Sequence, residues 1–251
     1  MRTALLTFAV LVLGLAVPAR AQRPPRPTPA PVIVLDPGHS PSIHAIDKHS
    51  GLDVSDYANA PEMQDVFAVA VLVKKRLIKD GYRVVMTKAT ADARVDLAER
   101  AAIANKAHAA LAVSIHDQAG AVGGIGFRSG NNIVYAQSVG GYRVTPGGRR
   151  VSFTKTAVAK DSLAFARVFV TARAKAQRTT IHLQRDIGYD MASRGLPGGD
   201  MWMVQLLSSV PWVYNEAGGN SLGRVGLDTA DKHAYAAGLI SAIEKCVPPG
   251  E

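Results

Sequence analysis

Short apolar runs that end on a polar residue alternate along this chain with longer stretches whose apolar residues recur at helical spacing. Val32-Ile33-Val34-Leu35 is apolar and mostly β-branched, which predicts a buried strand. Asp36-Pro37-Gly38 breaks it and delivers His39 just past the strand end. Val66, Val69 and Val73, flanked by Met63, Phe67 and Ala70, predict a helix over 61–79 that Asp80-Gly81 stops. A second strand is expected at Tyr82–Thr87, a second helix at Asp92–Lys106, and a third strand at Leu111–His116. The β-α-β-α-β order predicts an α/β fold with a largely parallel sheet covered by helices.

Residues 119–157 change character, with glycines punctuating short alternating pieces such as Ile133-Val134-Tyr135 and Tyr142-Arg143-Val144. This reads as one strand followed by a hairpin-like excursion. Arg143, Arg149, Arg150 and Lys155 make the excursion basic, so it is either a solvated hairpin or a flap that faces a substrate. A long helix is expected at Val158–Arg178 and a loop at Arg185–Gly199. Strands follow at Asp200–Leu206, bringing Trp202 into the sheet, and at Val210–Glu216, with a closing helix at Asp228–Cys246. No repeat or internal boundary divides residues 32–247, which read as a single domain.

The amino-terminal segment is a different matter. Arg2, an apolar run from Ala4 to Val17, and Ala19-Arg20-Ala21 fit a signal peptide over 1–21, an uncleaved anchor being the alternative. Residues 22–31 form a proline-rich linker. Export to the periplasm or cell envelope agrees with the single cysteine, Cys246, which can form no internal disulfide. It also rules out a cysteine-rich zinc site. Loss of Arg2 and Arg20 with the leader lowers the formal charge from +9 to +7. An exported basic protein is drawn to anionic surfaces such as wall polymers. No nucleic-acid motif is visible, no stable membrane span is expected after processing, and the chain is expected to be a monomer.

Three predicted strand ends carry His39, His116 and Glu216, where open α/β sheets gather ligand and catalytic residues. Glu62 lies in the first turn of the first helix, in line with its apolar side. It reads either as half of a capping box with Asn59 or as a metal ligand. His39, Glu62 and His116 would supply two neutral imidazoles and one carboxylate to a catalytic zinc ion (Zn2+) and leave a position open for water. Glu216 would then serve as the catalytic proton carrier, unless it is a surface carboxylate paired with Arg194 or Arg224. The loop over 40–61 also holds His44 and His49, both expected to be solvated. Asp47, His49 and Asp65 stand as alternative ligands to Glu62.

Several motifs sharpen this. Val34-Leu35-Asp36-Pro37-Gly38-His39, Leu97-Ala98-Glu99-Arg100-Ala101-Ala102-Ile103-Ala104-Asn105, Val113-Ser114-Ile115-His116 and Asn215-Glu216-Ala217-Gly218-Gly219-Asn220 follow one another. They resemble the successive motifs of zinc-dependent N-acetylmuramoyl-L-alanine amidases of the AmiC/CwlV catalytic type. Arg194-Gly195-Leu196 with Asp200-Met201-Trp202 is similar to a further stretch of that family. The resemblance covers residues 32–246. It implies a six-stranded, mostly parallel sheet and a peptidoglycan or muropeptide substrate. The bond cut would be the amide between N-acetylmuramic acid and the L-alanine of the stem peptide. It also implies that His39, Glu62 and His116 are zinc ligands and Glu216 the catalytic glutamate. The chain departs from the pattern at Ser40, Asp117-Gln118 and Gly219, and in its long loop before Glu62. Another zinc amidohydrolase of the cell wall, such as a carboxypeptidase, or an inactive wall-binding module are the competing readings.

Overall fold

The computed structural model describes residues 29–117, 132–184, 199–218 and 226–250. In chain order the elements are β1 (Val32–Pro37), α1 (Ala60–Lys79), β2 (Arg83–Met86), α2 (Leu97–Lys106), β3 (Leu111–Asp117), β4 (Asn132–Ala136), β5 (Tyr142–Val144), β6 (Arg150–Ser152), α3 (Thr156–Gln177), β7 (Ile181–Gln184), α4 (Met203–Leu207), β8 (Trp212–Ala217) and α5 (Thr229–Cys246). The leader, most of the proline-rich linker, Arg194-Gly195-Leu196 and Gly219-Asn220 lie outside the described residues.

Six strands form one sheet in the order β2-β1-β3-β8-β4-β7, and β5 and β6 form a separate hairpin. Pairing is parallel throughout the large sheet except between β4 and β8. Helices cover both faces, as a mostly parallel sheet requires. On one face α1, α3 and α5 bury Val69, Val73, Phe169 and Leu239 against Ile33, Leu35, Val113 and Val213. On the other, α2 and α4 bury Ala101, Ala104 and Val204 against Val34, Ala112, Tyr135 and Trp212. A third, smaller cluster joins Leu52 and Val54 of the 40–59 loop to Phe153, Met201 and Leu206. The loop is therefore pinned by its own apolar residues, and two isolated bridges, Ile43 to Asp56 and Ile46 to Asp53, fold it back on itself.

Two expectations are corrected. The sixth strand is Ile181–Gln184, at the sheet edge, and not 200–206. Residues 203–207 form a single helical turn. Its Gln205 side chain donates to the Tyr135 and Trp212 carbonyls at 3.1 and 3.0 Å, and Trp202 meets the sheet by stacking on it. Helix α2 begins at Leu97 and not at Asp92. Asp96 caps it in a reciprocal box with Glu99, while the Ser40 hydroxyl holds the Val95 carbonyl at 2.8 Å in the preceding extended segment.

Helices α3 and α5 cross at Gly238, where a Cβ atom would stand 2.9 Å from the Cα of Arg173. Gly238→Ala is expected to destabilise the protein by about 1–3 kcal/mol through overpacking, despite alanine's helix preference of about 1 kcal/mol. Denaturant unfolding measures this; a net gain in stability would mean that the helices have room to spare.

Candidate metal centre

Strand β1 ends in a buried ionic knot. Asp36 accepts from the Thr87 hydroxyl (2.7 Å), the Ser114 hydroxyl (2.8 Å) and Arg100 (2.8 Å). Burial would raise the Asp36 carboxyl, but Arg100 and the two hydroxyls hold it below its usual value. Arg100 also donates to the Pro37 and His39 carbonyls at 2.8 and 2.5 Å, and reaches Asp56 at 3.2 Å. From the other side, the buried Lys88 ammonium donates to the carbonyls of Gly38 (2.9 Å), His39 (2.6 Å) and Ala91 (3.1 Å). Burial lowers the Lys88 pKa to about 8. Two cations thus fix three successive carbonyls, from the last residue of the strand to the second residue past it. They hold His39 in the left-handed region at φ 56°, a conformation that costs a non-glycine residue about 1–2 kcal/mol.

His39 is turned so that its Nε2 lies 2.9 Å from Oε2 of Glu62. His116, at the end of β3, places Nδ1 2.9 Å from Oε1 of the same carboxylate. Glu62 sits in the first turn of α1, but the Asn59 side chain caps nothing there. Its amide donates to Glu62 Oε2 at 2.7 Å, so the capping-box alternative is not realised. All three residues are buried, and one ligand atom from each lies within 4.8 Å of the others. Two imidazoles and a carboxylate gathered in this way fit a small borderline cation such as zinc. The outer contacts agree. Asp56 Oδ1 stands 3.7 Å from His39 Nδ1, beyond hydrogen-bond range, and that buried nitrogen makes no hydrogen bond among the described residues. Histidine ligands commonly turn their second nitrogen toward such a carboxylate.

The electrostatics are those of a self-neutralised cluster of two imidazoles and a carboxylate. Burial pulls His39 down, but the Glu62 carboxylate and Asp56 more than offset it and raise its pKa to about 10. Burial pushes Glu62 up, and the two histidines outweigh that to bring it to about 2. Burial leaves His116 below its usual value.

Glu216 is also buried rather than at the surface, and Arg194 and Arg224, the cations weighed as its partners, lie outside the described residues. Glu216 pairs with His116 in the β3–β8 register, so the two side chains leave neighbouring strands toward the same face. Burial and the nearby Glu62 push its carboxyl well above the usual value, only partly countered by His39 and Arg173. Arg173 donates to the Glu216 carbonyl at 2.9 Å and to Asn215 Oδ1 at 3.2 Å, fixing the end of β8. The alternative ligands lie elsewhere: Asp47 is bound to Ser50, Asp65 to Lys232, and His44 and His49 are exposed.

Beside the cluster lies a cavity of about 290 Å³, whose lining includes His39, His116, Tyr57, Arg143, Trp202 and Tyr214. His116 stacks on Tyr214 with 4.5 Å between centroids, and Tyr214 stacks on Trp202 at 4.4 Å. Sequence reasoning missed Asp36 and Lys88 as supports, Asp56 behind His39, and the Tyr214 stack. Arg100 carried a readable signal, because it falls with Leu97, Ala101 and Ala104 on the inward side of α2. The excursion divides its roles: Arg143 and Val144 line the cavity, while Arg149 and Arg150 are exposed.

The family profile for N-acetylmuramoyl-L-alanine amidase (Amidase_3) matches residues 33–218. No curated protein sequence matches the chain. Among solved structures, the catalytic domain of the amidase CwlV from Bacillus (Paenibacillus) polymyxa var. colistinus superposes with a TM-score of 0.55. It has 20% identity over 86% of this chain and 97% of its own. The amidase Ami1 from Mycobacterium smegmatis gives a TM-score of 0.57 at 19% identity, covering 86% of this chain and 96% of its own. AmiC2 of Nostoc punctiforme gives 0.53 at 19%, with coverage of 86% and 96%. At these identities the superpositions speak for the fold.

The close approach of the backbone to the cluster yields a test. A Cβ on Gly38 would lie 2.3 Å from Cε1 and 2.4 Å from Nδ1 of His116. Gly38→Ala must therefore push the imidazole aside. We expect at least a tenfold loss of affinity for a divalent metal, comparable to other changes around metal ligands. Competitive titration with a chromophoric chelator reads it, and unchanged affinity would mean that His116 is not held where the cluster needs it.

Proposed function

The chain belongs to the N-acetylmuramoyl-L-alanine amidase family, and we propose that it is a zinc-dependent peptidoglycan hydrolase that cuts the amide between the lactyl group of N-acetylmuramic acid and the L-alanine of the stem peptide. The observation that carries the reading is the convergence of His39 Nε2, His116 Nδ1 and the Glu62 carboxylate at the edge of a cavity, with Glu216 on the adjacent strand.

In this reading His39, Glu62 and His116 hold one zinc ion. When bound, zinc supplies Lewis acidity that polarises the scissile carbonyl and acidifies the attacking water. Glu216 takes the proton from that water as its oxygen bonds to the carbonyl carbon. The same carboxyl then passes the proton to the alanine nitrogen as the carbon–nitrogen bond breaks. Burial favours this shuttle, because a carboxyl away from bulk water holds a proton readily. Asp56 steadies His39 from behind, and Arg173 keeps the end of β8 in register. Among the described residues no helix is long and apolar enough to cross a membrane. Export by a leader over 1–21, cleaved after Ala21, would bring the basic domain to the wall.

Two variant sets test this. His39→Ala, Glu62→Ala and His116→Ala are each expected to lose zinc and activity together, since an open three-ligand site tolerates no loss; wild-type zinc content in any of them would break the ligand assignment. Glu216→Gln should keep its zinc and its fold but lose about 10²–10⁴-fold in kcat. Near wild-type turnover would remove Glu216 from the mechanism. Product analysis on purified peptidoglycan settles the bond: intact stem peptides with a new L-alanine amino terminus are expected. Release of a carboxy-terminal residue alone would identify a carboxypeptidase instead.

A further inference from the structure

Several buried hydroxyls around the centre are spent on the protein itself. Thr87 and Ser114 donate to Asp36, Ser40 to the Val95 carbonyl, Ser162 to the Trp212 carbonyl, and Tyr235 to the carbonyls of His116 and Asn215. Tyr214 differs. It is buried, it lines the cavity beside the ligand cluster, and among the described residues its hydroxyl makes no hydrogen bond. A buried phenol left without a protein partner calls for an acceptor that arrives with a ligand.

The ring itself is held fast. His116 lies 18° from parallel to it at 4.5 Å between centroids, Trp202 lies 5° from parallel at 4.4 Å, and Tyr135 meets it edge-on at 6.0 Å. Strand β8 carries Tyr214 two residues before Glu216, so both side chains rise from the same face of the sheet. Glu216 is in turn the register partner of His116, and the Glu216 and Glu62 carboxylates both act electrostatically on the phenol. A donor packed this rigidly against a ligand ring meets charge that develops beside it without rearranging.

Amide cleavage creates such a charge. The carbonyl oxygen becomes negative when the water oxygen bonds to the carbonyl carbon. That oxygen has to lie within reach of both the ligand cluster and Glu216, and Tyr214 borders both. A phenol keeps its proton at neutral pH and can therefore donate to an anionic oxygen. We propose that Tyr214 is a catalytic residue whose hydroxyl donates a hydrogen bond to the scissile carbonyl oxygen as that oxygen becomes negatively charged. The inference rests on the amidase reading above.

Tyr214→Phe tests it, because the substitution keeps the ring and its stacking and removes one oxygen atom. Zinc content and the unfolding midpoint should match wild type. The kcat for a muropeptide should fall about 100-fold with KM little changed, since the bond is made in the transition state. Wild-type kcat, or a loss confined to KM, would overturn the proposal. So would loss of zinc, which would make Tyr214 a support for His116 only. Calorimetric binding of acetohydroxamate to the zinc-loaded protein gives a readout independent of turnover. Its carbonyl oxygen stands in for that of the substrate, and Tyr214→Phe should bind it about tenfold more weakly than wild type. Failure of wild type to cleave the muropeptide defeats the amidase reading alone if that tenfold difference is found. Equal hydroxamate affinities defeat the assignment of Tyr214, whatever the turnover.

Discussion

The buried contact between Arg100 and Asp36 is the constraint on which the centre depends. It places a guanidinium under the end of β1, and together with Lys88 it turns the carbonyls of Pro37, Gly38 and His39 inward. Those carbonyls would otherwise be orphaned acceptors in a dry strand end, each costing roughly 1–3 kcal/mol. With the cations in place, the left-handed turn at His39 is offset and the imidazole is aimed at Glu62. Removing either member of a buried pair typically costs about 3–5 kcal/mol because the other is left charged and unpartnered. The support is therefore all-or-none, which suits a centre that gathers His39, Glu62 and His116 within a few ångströms of one another.

A second constraint is the tight layering above the sheet. Gly38 lies against the His116 ring, the ring against Tyr214, and Tyr214 against Trp202. Trp212, one position pair earlier on β8, donates its indole N–H to the Ser114 hydroxyl, which in turn donates to Asp36. Trp212 in the core beneath the site and the ionic knot are thus joined through Ser114. The site is built on strands and packed rings, while the two covering loops, 40–59 and the β5–β6 hairpin, meet through Arg149 and the Ser50 carbonyl.

Where chemistry sits at the end of an apolar run, the sequence was readable. His39, His116 and Glu216 each follow such a run, and Glu62 falls on the apolar side of α1, so local pattern singled out the four as candidates while their roles came from the family resemblance. The parallel order of the first three strands followed from the same pattern. What escaped was of two kinds. Ile181–Gln184 is a four-residue edge strand with two apolar positions, too short for a periodic signal. Met203–Leu207 is five residues long with four of them buried, Gln205 included, too short and too uniformly buried to reveal whether its period is two or 3.6. The supports were hidden for a different reason. Lys88 acts on residues 49 and 50 positions away, and Arg100 on residues 61 to 64 away, contacts that exist only once β1, β2 and α2 have been brought together.

The most direct measurement of the central claim is X-ray absorption at the zinc edge on the purified, zinc-loaded protein. One zinc ion per chain, with a shell of nitrogen and oxygen only and the outer-shell scattering of two imidazoles, is the result expected from His39, Glu62 and His116 at Zn–N distances of about 2.0–2.1 Å. A protein that retains no zinc, or a shell lacking imidazole, would contradict the account.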